Sequence, residues 1–386
     1  MDAFGTDMKD LWPLERGMIF LNHGSYGATP HVVLKEQAHW RAQLEAQPCQ
    51  FINTVAPGAI RNAASHLADF LGVAAPDLAF VENTTTGINA ILKSLRFAPG
   101  DEVVVSDHVY NAVRNTLRFV LDPVGAHLVV AEIGLPVRDS AALCAGVMAT
   151  VNEHTKLIVL DHVASVSAVV FPVADIAAQA KARGIPMLVD GAHAPGMLDL
   201  DVAALGVDWY VGNCHKWLCA PKGSAFVWAA PHRQAALHPT VISHDLGKGW
   251  TFEFDKIGTR DASGWLSVPA ALGFHAERGG PALRARNHAV AVAAAEALAL
   301  RWGTETGAPG ALFGSMATVR APGGAPADRP TADAIKRWLW DNHRAEVHVM
   351  PFCGALWVRL SVQAYNTEDE CLAIGPLVEQ ALRAVA

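Results

Sequence analysis

The sequence predicts an α/β fold with a mostly parallel sheet, and three observations carry that expectation. From residue 78 to about residue 230, apolar runs of strand length alternate with stretches of helical periodicity. Most of these runs end in a polar cluster, and four of the clusters bear His or Asp, as expected for a site along the C-terminal edge of a sheet. A chain of 386 residues is long for one domain and natural for two.

Composition narrows the classes of function. Hydrophobic residues make up 51% and charged residues 17%, the profile of a soluble globular chain. A formal net charge of −7 gives no support for nucleic-acid binding. The first twelve residues carry Asp2, Asp7 and Asp10 with no apolar core, unlike a secretory signal. The longest apolar run, Val163 to Ala174, is broken by Ser165, Ser167 and Pro172 and is too short for a bilayer. Six scattered cysteines suggest reduced thiols in a cytoplasmic protein. A small-molecule substrate is therefore expected, with neither a nucleic-acid nor a membrane partner.

Taken in order, Phe20 to Pro30 reads as a short apolar run ending in a Gly-rich loop. Asn22, His23, Ser25 and Tyr26 make that loop too polar for a plain connector. Helical periodicity follows from Val32 to Ala46 and from Ile60 to Leu71, where Gly72 ends it. Leu78 to Glu82 reads as a strand, and Asn83-Thr-Thr-Thr-Gly opens a helix. Free N–H groups and the helix dipole there suit an anion such as a phosphate, although ordinary capping needs only one threonine. No nucleotide-binding glycine pattern accompanies it. Strands are expected at Glu102–Ser106, Ala126–Ala131, Lys156–Leu160 and Pro186–Asp190, with a helix from Val173 to Arg183. Beyond Asp261, helical text runs from Ala270 to Trp302, a Gly/Pro/Ala-rich loop covers Ala321 to Pro330, and helices span Thr331–Asn342 and Thr367–Val385.

The stretch from Asp208 to Trp228 is the chemical centre of the chain. Two apolar runs flank a polar knot, Asn213 to Trp217, and a Pro-Lys-Gly turn, which places His215 and Lys216 together at strand ends. A lysine among apolar neighbours loses solvation, and its amine becomes available as a nucleophile of the Schiff-base type. A lysine that snorkels along the neighbouring tryptophans is the simpler alternative. Cys214, His215 and Cys219 could instead ligate zinc, but no second ligand pair at zinc-like spacing accompanies them.

The ordered set Asn83-Thr-Thr-Thr, Asp107-His108, Asp190-Gly-Ala-His193 and Gly212-Asn-Cys-His-Lys216-Trp resembles class V aminotransferase-like, pyridoxal-phosphate enzymes. Leu21-Asn-His-Gly-Ser-Tyr-Gly, Asp161-His-Val-Ala-Ser165 and Gly258-Thr-Arg-Asp261 look most like the isopenicillin N epimerase-like branch. The resemblance covers roughly the whole chain. It implies fold type I: residues 1–17 as an N-terminal segment near the small domain, 18–261 as a large cofactor-binding domain, and 262–386 as a smaller C-terminal α/β domain. It also implies a homodimer with shared active sites.

Carried across residue by residue, the resemblance makes Lys216 the Schiff-base lysine and Asp190 the partner of the pyridinium nitrogen. His108 would stack on the ring, with Tyr110 as the alternative. Thr84, Thr85 and His215 would hold the phosphate, joined by Thr259 from the partner subunit. Ser165 and His193 would lie near the ring hydroxyl, although many relatives have asparagine at the Ser165 position. Arg359, in Leu356-Trp-Val-Arg-Leu-Ser, would clamp a substrate carboxylate bidentately, with Asn22, His23 and Tyr26 as further substrate contacts. The implied reaction is removal of the Cα proton of an α-amino acid or its conjugate, leading to epimerisation or C–S elimination, with transamination as the alternative. A persulfide-forming desulfurase is disfavoured, because His343 to Met350 lacks cysteine and Cys353 lies too near Arg359. A cofactor-binding regulator finds no support in any additional DNA-binding segment.

Overall fold

Alternating apolar runs become strands with helices on both faces in the computed structural model, which describes residues 4–385. After a short strand β1 (Ile19–Phe20), the central strands are β2 (Leu78–Val81), β3 (Glu102–Ser106), β4 (His127–Ala131), β5 (Thr155–Asp161), β6 (Met187–Asp190), β7 (Trp209–Asn213) and β8 (Ala225–Ala229). They form one seven-stranded sheet in the order β2-β8-β7-β6-β5-β3-β4. The ladders from β4 to β7 are parallel, and β8 runs antiparallel to both β7 and β2.

Each central strand feeds two cores, because successive side chains leave a strand on opposite faces. Val103, Val105, Leu157, Val159 and Leu188 pack with Ile88, Ile91 and Leu117 of the helices Thr84–Ser94 and Asn111–Leu121. Val104, Ile158, Leu160 and Val189 belong to the other core, with Leu143 and Ile176 of the helices Ser140–Met148 and Val173–Ala182. Helices on both faces leave only the strand ends open.

Four further strands follow: β9 (Met316–Arg320), β10 (Ala345–Glu346), β11 (His348–Phe352) and β12 (Ala355–Ser361). β11, β12 and β9 form a second, antiparallel sheet, backed by the helices Pro281–Trp302 and Arg329–His343, on which the helix Glu368–Val385 packs. β1 pairs with β10, and the Gly5 N–H donates to Ala364 O at 2.7 Å. Residues 4–12 thus lie against the C-terminal part of the chain.

One expectation changes. The helical text from Ala270 to Trp302 is two helices, Val268–Glu277 and Pro281–Trp302. Gly279 and Gly280, at φ +91° and +43°, break it, and Pro281 starts the second helix where its missing N–H costs nothing. Ser263–Leu266 and Val268–Glu277 pack on the helices His31–Ala46 and Ala56–Leu71. No helix among the described residues is long and apolar enough to cross a membrane.

Candidate active site

The C-terminal ends of β5, β6 and β7 and the start of the helix Thr84–Ser94 surround a cavity of about 320 Å³. Lys216 follows β7, where the antiparallel return through β8 holds its loop. Cys214 N–H donates to Ser224 O at 3.0 Å, and so does the His215 ring Nδ1 at 2.9 Å. Asp190 ends β6, and its Oδ1 accepts the Ala192 N–H at 3.0 Å.

Lys216 Nζ lies 3.1 Å from His193 Nε2, while the Trp217 indole N–H approaches His193 Nδ1 at 3.4 Å. An indole nitrogen can only donate, so Nδ1 is the acceptor and the imidazole hydrogen sits on Nε2. That hydrogen needs a lone pair, which a lysine offers only as the free amine. Burial supplies the reason: it lowers the Lys216 amine to about 7, against the opposing pull of the Asp190 carboxyl, with Arg359 lowering it further. Burial also keeps His193 neutral, helped by the charge of Arg359. The Asp190 carboxyl is pushed up to about 6 by burial.

At the other end of the cavity stands a helix N-terminus. Asn83, not a threonine, caps it, accepting the Thr86 N–H at 2.9 Å. Thr84 donates its N–H to Asn213 Oδ1 at 3.0 Å, and its buried hydroxyl has no protein partner. Thr84, Thr85 and His215 line this end together, an arrangement suited to an anionic group. The neutral state of His215, lowered to about 4 by burial, is the ligand-free one.

Arg359 lies behind the cavity and is 1% exposed. Its Nη1 donates to Ser165 O at 2.6 Å and Ser165 Oγ at 3.3 Å, and its Nη2 to Asn22 Oδ1 and Ser25 Oγ, both at 3.2 Å. Asn22 in turn donates from Nδ2 to Glu346 Oε1 at 2.9 Å, which fixes its amide with the oxygen toward the arginine. Among the described residues Arg359 has no carboxylate partner, and its buried Nε is unpaired. It remains a cation, lowered only to about 10 by burial.

Tyr26, Tyr110 and Ser165 also line the cavity. Five expected residues do not: Asn22 and Arg359 lie behind its wall, and His108, His23 and Thr259 are placed elsewhere. His108 is wholly buried away from it, bonded through Nδ1 to Ser167 Oγ at 2.7 Å and through Nε2 to Gly134 O at 3.0 Å. Phe171 and Phe352 pack nearly perpendicular to its ring, and Tyr110, not His108, forms part of the cavity wall. His23 is buried behind the lysine loop: its Nε2 donates to Lys216 O at 3.0 Å, so its Nδ1 accepts the Tyr365 hydroxyl hydrogen at 2.8 Å. It supports the loop and does not reach a substrate. Thr259 sits on an exposed turn outside this cavity. Nor do Cys214, His215 and Cys219 converge as a metal site. His215 is committed to Ser224, Cys219 faces His23 and the Trp217 carbonyl, and no group of three metal-ligating side chains comes together among the described residues.

Sequence reasoning passed over Asp161, Ser25 and Asn213 as site residues. All three line the cavity, and each stood within a motif already singled out at a strand end or loop.

The family model for aminotransferase class-V matches residues 19–332. An isopenicillin N epimerase of Streptomyces clavuligerus is 33% identical over 375 residues, covering 92% of this chain and 93% of that protein. An L-cysteine desulfhydrase of Arabidopsis thaliana is 27% identical over 394 residues, covering 92% and 86%. Among solved structures, the apo cysteine desulfurase of Thermococcus onnurineus superposes with a TM-score of 0.80 at 17% identity, covering 99% of this chain and 98% of that one. The cystine C–S lyase C-DES, in complex with cysteine persulfide, gives a TM-score of 0.78 at 20% identity, covering 95% and 98%. At such identities the structural likeness is one of fold, whereas the family match spans most of the sequence. With a lysine, an aspartate and a helix N-terminus converging on one cavity, this chain belongs to the class-V aminotransferase family.

Proposed function

We propose that this protein is a pyridoxal-phosphate enzyme that removes the Cα proton of an α-amino acid or amino-acid conjugate, with epimerisation or C–S elimination as the outcome. The observation that carries this reading is a free-amine lysine between a buried carboxyl and a buried, carboxylate-free arginine. The chain's own residues fit the cofactor. The unpartnered Thr84 hydroxyl, Thr85 and His215 suit its phosphate, Asp190 its ring nitrogen, and Lys216 its aldehyde. Ser165 and His193 stand where the ring hydroxyl is expected, and Tyr110 is the ring's neighbour in place of His108. Bound there, pyridoxal phosphate supplies an electron sink for charge developing at Cα.

Arg359 holds the substrate carboxylate in this reading by exchanging its Nη2 contacts to Asn22 and Ser25 for the incoming oxygens, while Ser165 keeps the guanidinium plane fixed through Nη1. Lys216 is the base that takes the Cα proton, and an amine held near 7 is matched to that task at neutral pH. Epimerisation needs a second proton donor opposite Lys216. With His23 withdrawn, Tyr26 and Tyr110 are the candidates, whereas elimination needs only a leaving group. Similarity to an isopenicillin N epimerase and to L-cysteine desulfhydrases supports both outcomes over transamination.

The working unit in this reading is a homodimer, in which the partner's copy of the turn bearing Thr259 reaches the phosphate. Its location is the cytoplasm, where the six unpaired cysteines stay reduced. Incubation with a panel of amino acids and cysteine conjugates in deuterated water tests the chemistry. Deuterium at Cα with the skeleton retained identifies an epimerase, and pyruvate with ammonia identifies a lyase. Accumulation of the cofactor's amine form identifies an aminotransferase and overturns the preference stated here. A cofactor-loaded protein that exchanges no Cα proton across the panel overturns the reading itself.

A further inference from the structure

Asp161 ends β5, and its register partner across the parallel ladder is Asp190, which ends β6. Residues paired in this way project to the same face of a sheet, so two carboxyls leave it side by side. Both are buried, at 3% and 4% exposed, and both line the cavity. Asp190 accepts the Ala192 N–H, whereas Asp161 Oδ2 is buried without any protein partner.

The titratable groups around this pair are the Lys216 amine from the loop after β7, the Tyr110 and Tyr210 phenols and the neutral His193 imidazole, with the Arg359 guanidinium from β12 near Tyr110 and His193. Arg359 is held by Ser165, Asn22 and Ser25 and forms no ion pair with either carboxyl among the described residues. Two like charges buried on adjacent strand ends repel strongly, so they do not both ionise in the same range. Burial and the neighbouring Asp190 act on Asp161 in the same sense and hold its carboxyl well above the usual carboxylate range. The backbone N–H of Tyr110 only partly opposes them.

We propose that Asp161 is a positioning residue that stays protonated, so that the pair carries one negative charge and that charge resides on Asp190. It follows that Asp161 presents a neutral hydroxyl as a hydrogen-bond donor inside the cavity. The charge on Asp190 is the one that receives the cofactor's ring nitrogen, and this part of the inference rests on the function proposed above. Asp161 thereby prevents a second carboxylate from competing for the same proton.

Two measurements test it. Infrared spectra of the cofactor-free protein at neutral pH should show a protonated-carboxyl stretch that disappears in Asp161→Asn and persists in Asp190→Asn. A wild type without the band, or a band lost in Asp190→Asn and kept in Asp161→Asn, overturns the assignment. In the second, pyridoxal-phosphate affinity is followed against pH. Asp161→Asn, the neutral isostere, should hold the cofactor at neutral pH and lose the alkaline fall in affinity expected of the wild type as Asp161 gives up its proton. Asp161→Leu, matched in size but without polar atoms, should bind about tenfold more weakly. If Asn and Leu weaken binding equally at neutral pH, the proton on Asp161 has no such role. The infrared arm uses protein without cofactor, so failure of the cofactor reading, seen as a wild type that does not bind pyridoxal phosphate, is distinguishable from failure of this one.

Discussion

A lysine amine works as a base near neutral pH only if its charged form is deprived of water, and at Lys216 burial does this. The consequence for stability has a definite sign. In the unfolded chain the amine holds its proton up to about its ordinary 10.5, and in the folded chain only to about 7. Between those values the unfolded state binds more protons, so stability rises with pH; the penalty is full below pH 7 and gone above 10.5. Lys216→Met should therefore stabilise the cofactor-free protein, by at most about 5 kcal/mol near pH 6 and by progressively less toward pH 10. Denaturant melts at both pH values check this, and a gain independent of pH would show that Lys216 is not held as a free amine. Also at this scale, Tyr110→Ala should weaken cofactor binding by about tenfold or more, the worth of an aromatic stacking contact. His108→Gln should lower stability and leave the cofactor spectrum in place. Absorbance titration and thermal melts of the two variants separate these roles.

At the scale of elements, the lysine loop is held by close backbone approaches that only glycine permits. A Cβ on Gly27, at φ +72°, would sit 1.9 Å from the His215 carbonyl oxygen, and one on Gly196, at φ +84°, would meet the Trp217 backbone at 2.7 Å. The first glycine follows His23, whose ring bonds the Lys216 carbonyl, so one N-terminal turn fixes both sides of the loop. Gly27→Ala should displace His215 and Lys216 and abolish cofactor retention. Gly100→Ala is the control. It has a similar positive φ, +85°, but nothing within 4 Å, so it should cost only the roughly 1–2 kcal/mol of left-handed backbone. Equal cofactor occupancy in the two variants, measured by absorbance after gel filtration, would refute the clamp.

At the scale of the whole molecule, two cores hold the central sheet from both faces and leave the site at its edge, while Arg359 arrives from the second sheet. The cavity is open toward Tyr26, which is 76% exposed, and Thr259 lies on an exposed turn. If a partner subunit closes that side, dilution should release cofactor and monomer together. Analytical ultracentrifugation with absorbance at the cofactor's wavelength follows both at once. A monomer that keeps stoichiometric cofactor and turns over substrate would show that each chain is complete alone.

What the chain could determine by itself was local. Strand and helix periods, the Lys216 loop and the polar strand ends are carried by neighbours in sequence, and the structure places Lys216, Asp190, His193, His215, Thr84 and Thr85 on one cavity. The strands of the second sheet were not legible, although they are as long as the central ones, because β11 and β12 follow one another without the intervening helix that marks the strands of the large sheet. The helix break at Gly279–Gly280 was missed because an alanine-rich helical period continues on both sides of it. The fates of His108 and His23 depended on tertiary contacts. A strand-end histidine can face a cavity or turn inward, and partners far along the chain decided the matter: Ser167, Phe171 and Phe352 for one, Tyr365 and the Lys216 carbonyl for the other. The pairing of Asp161 with Asp190 has the same origin. It exists only because β5 and β6 lie in register, and register is set by packing over the whole sheet and not by any residue near either carboxyl.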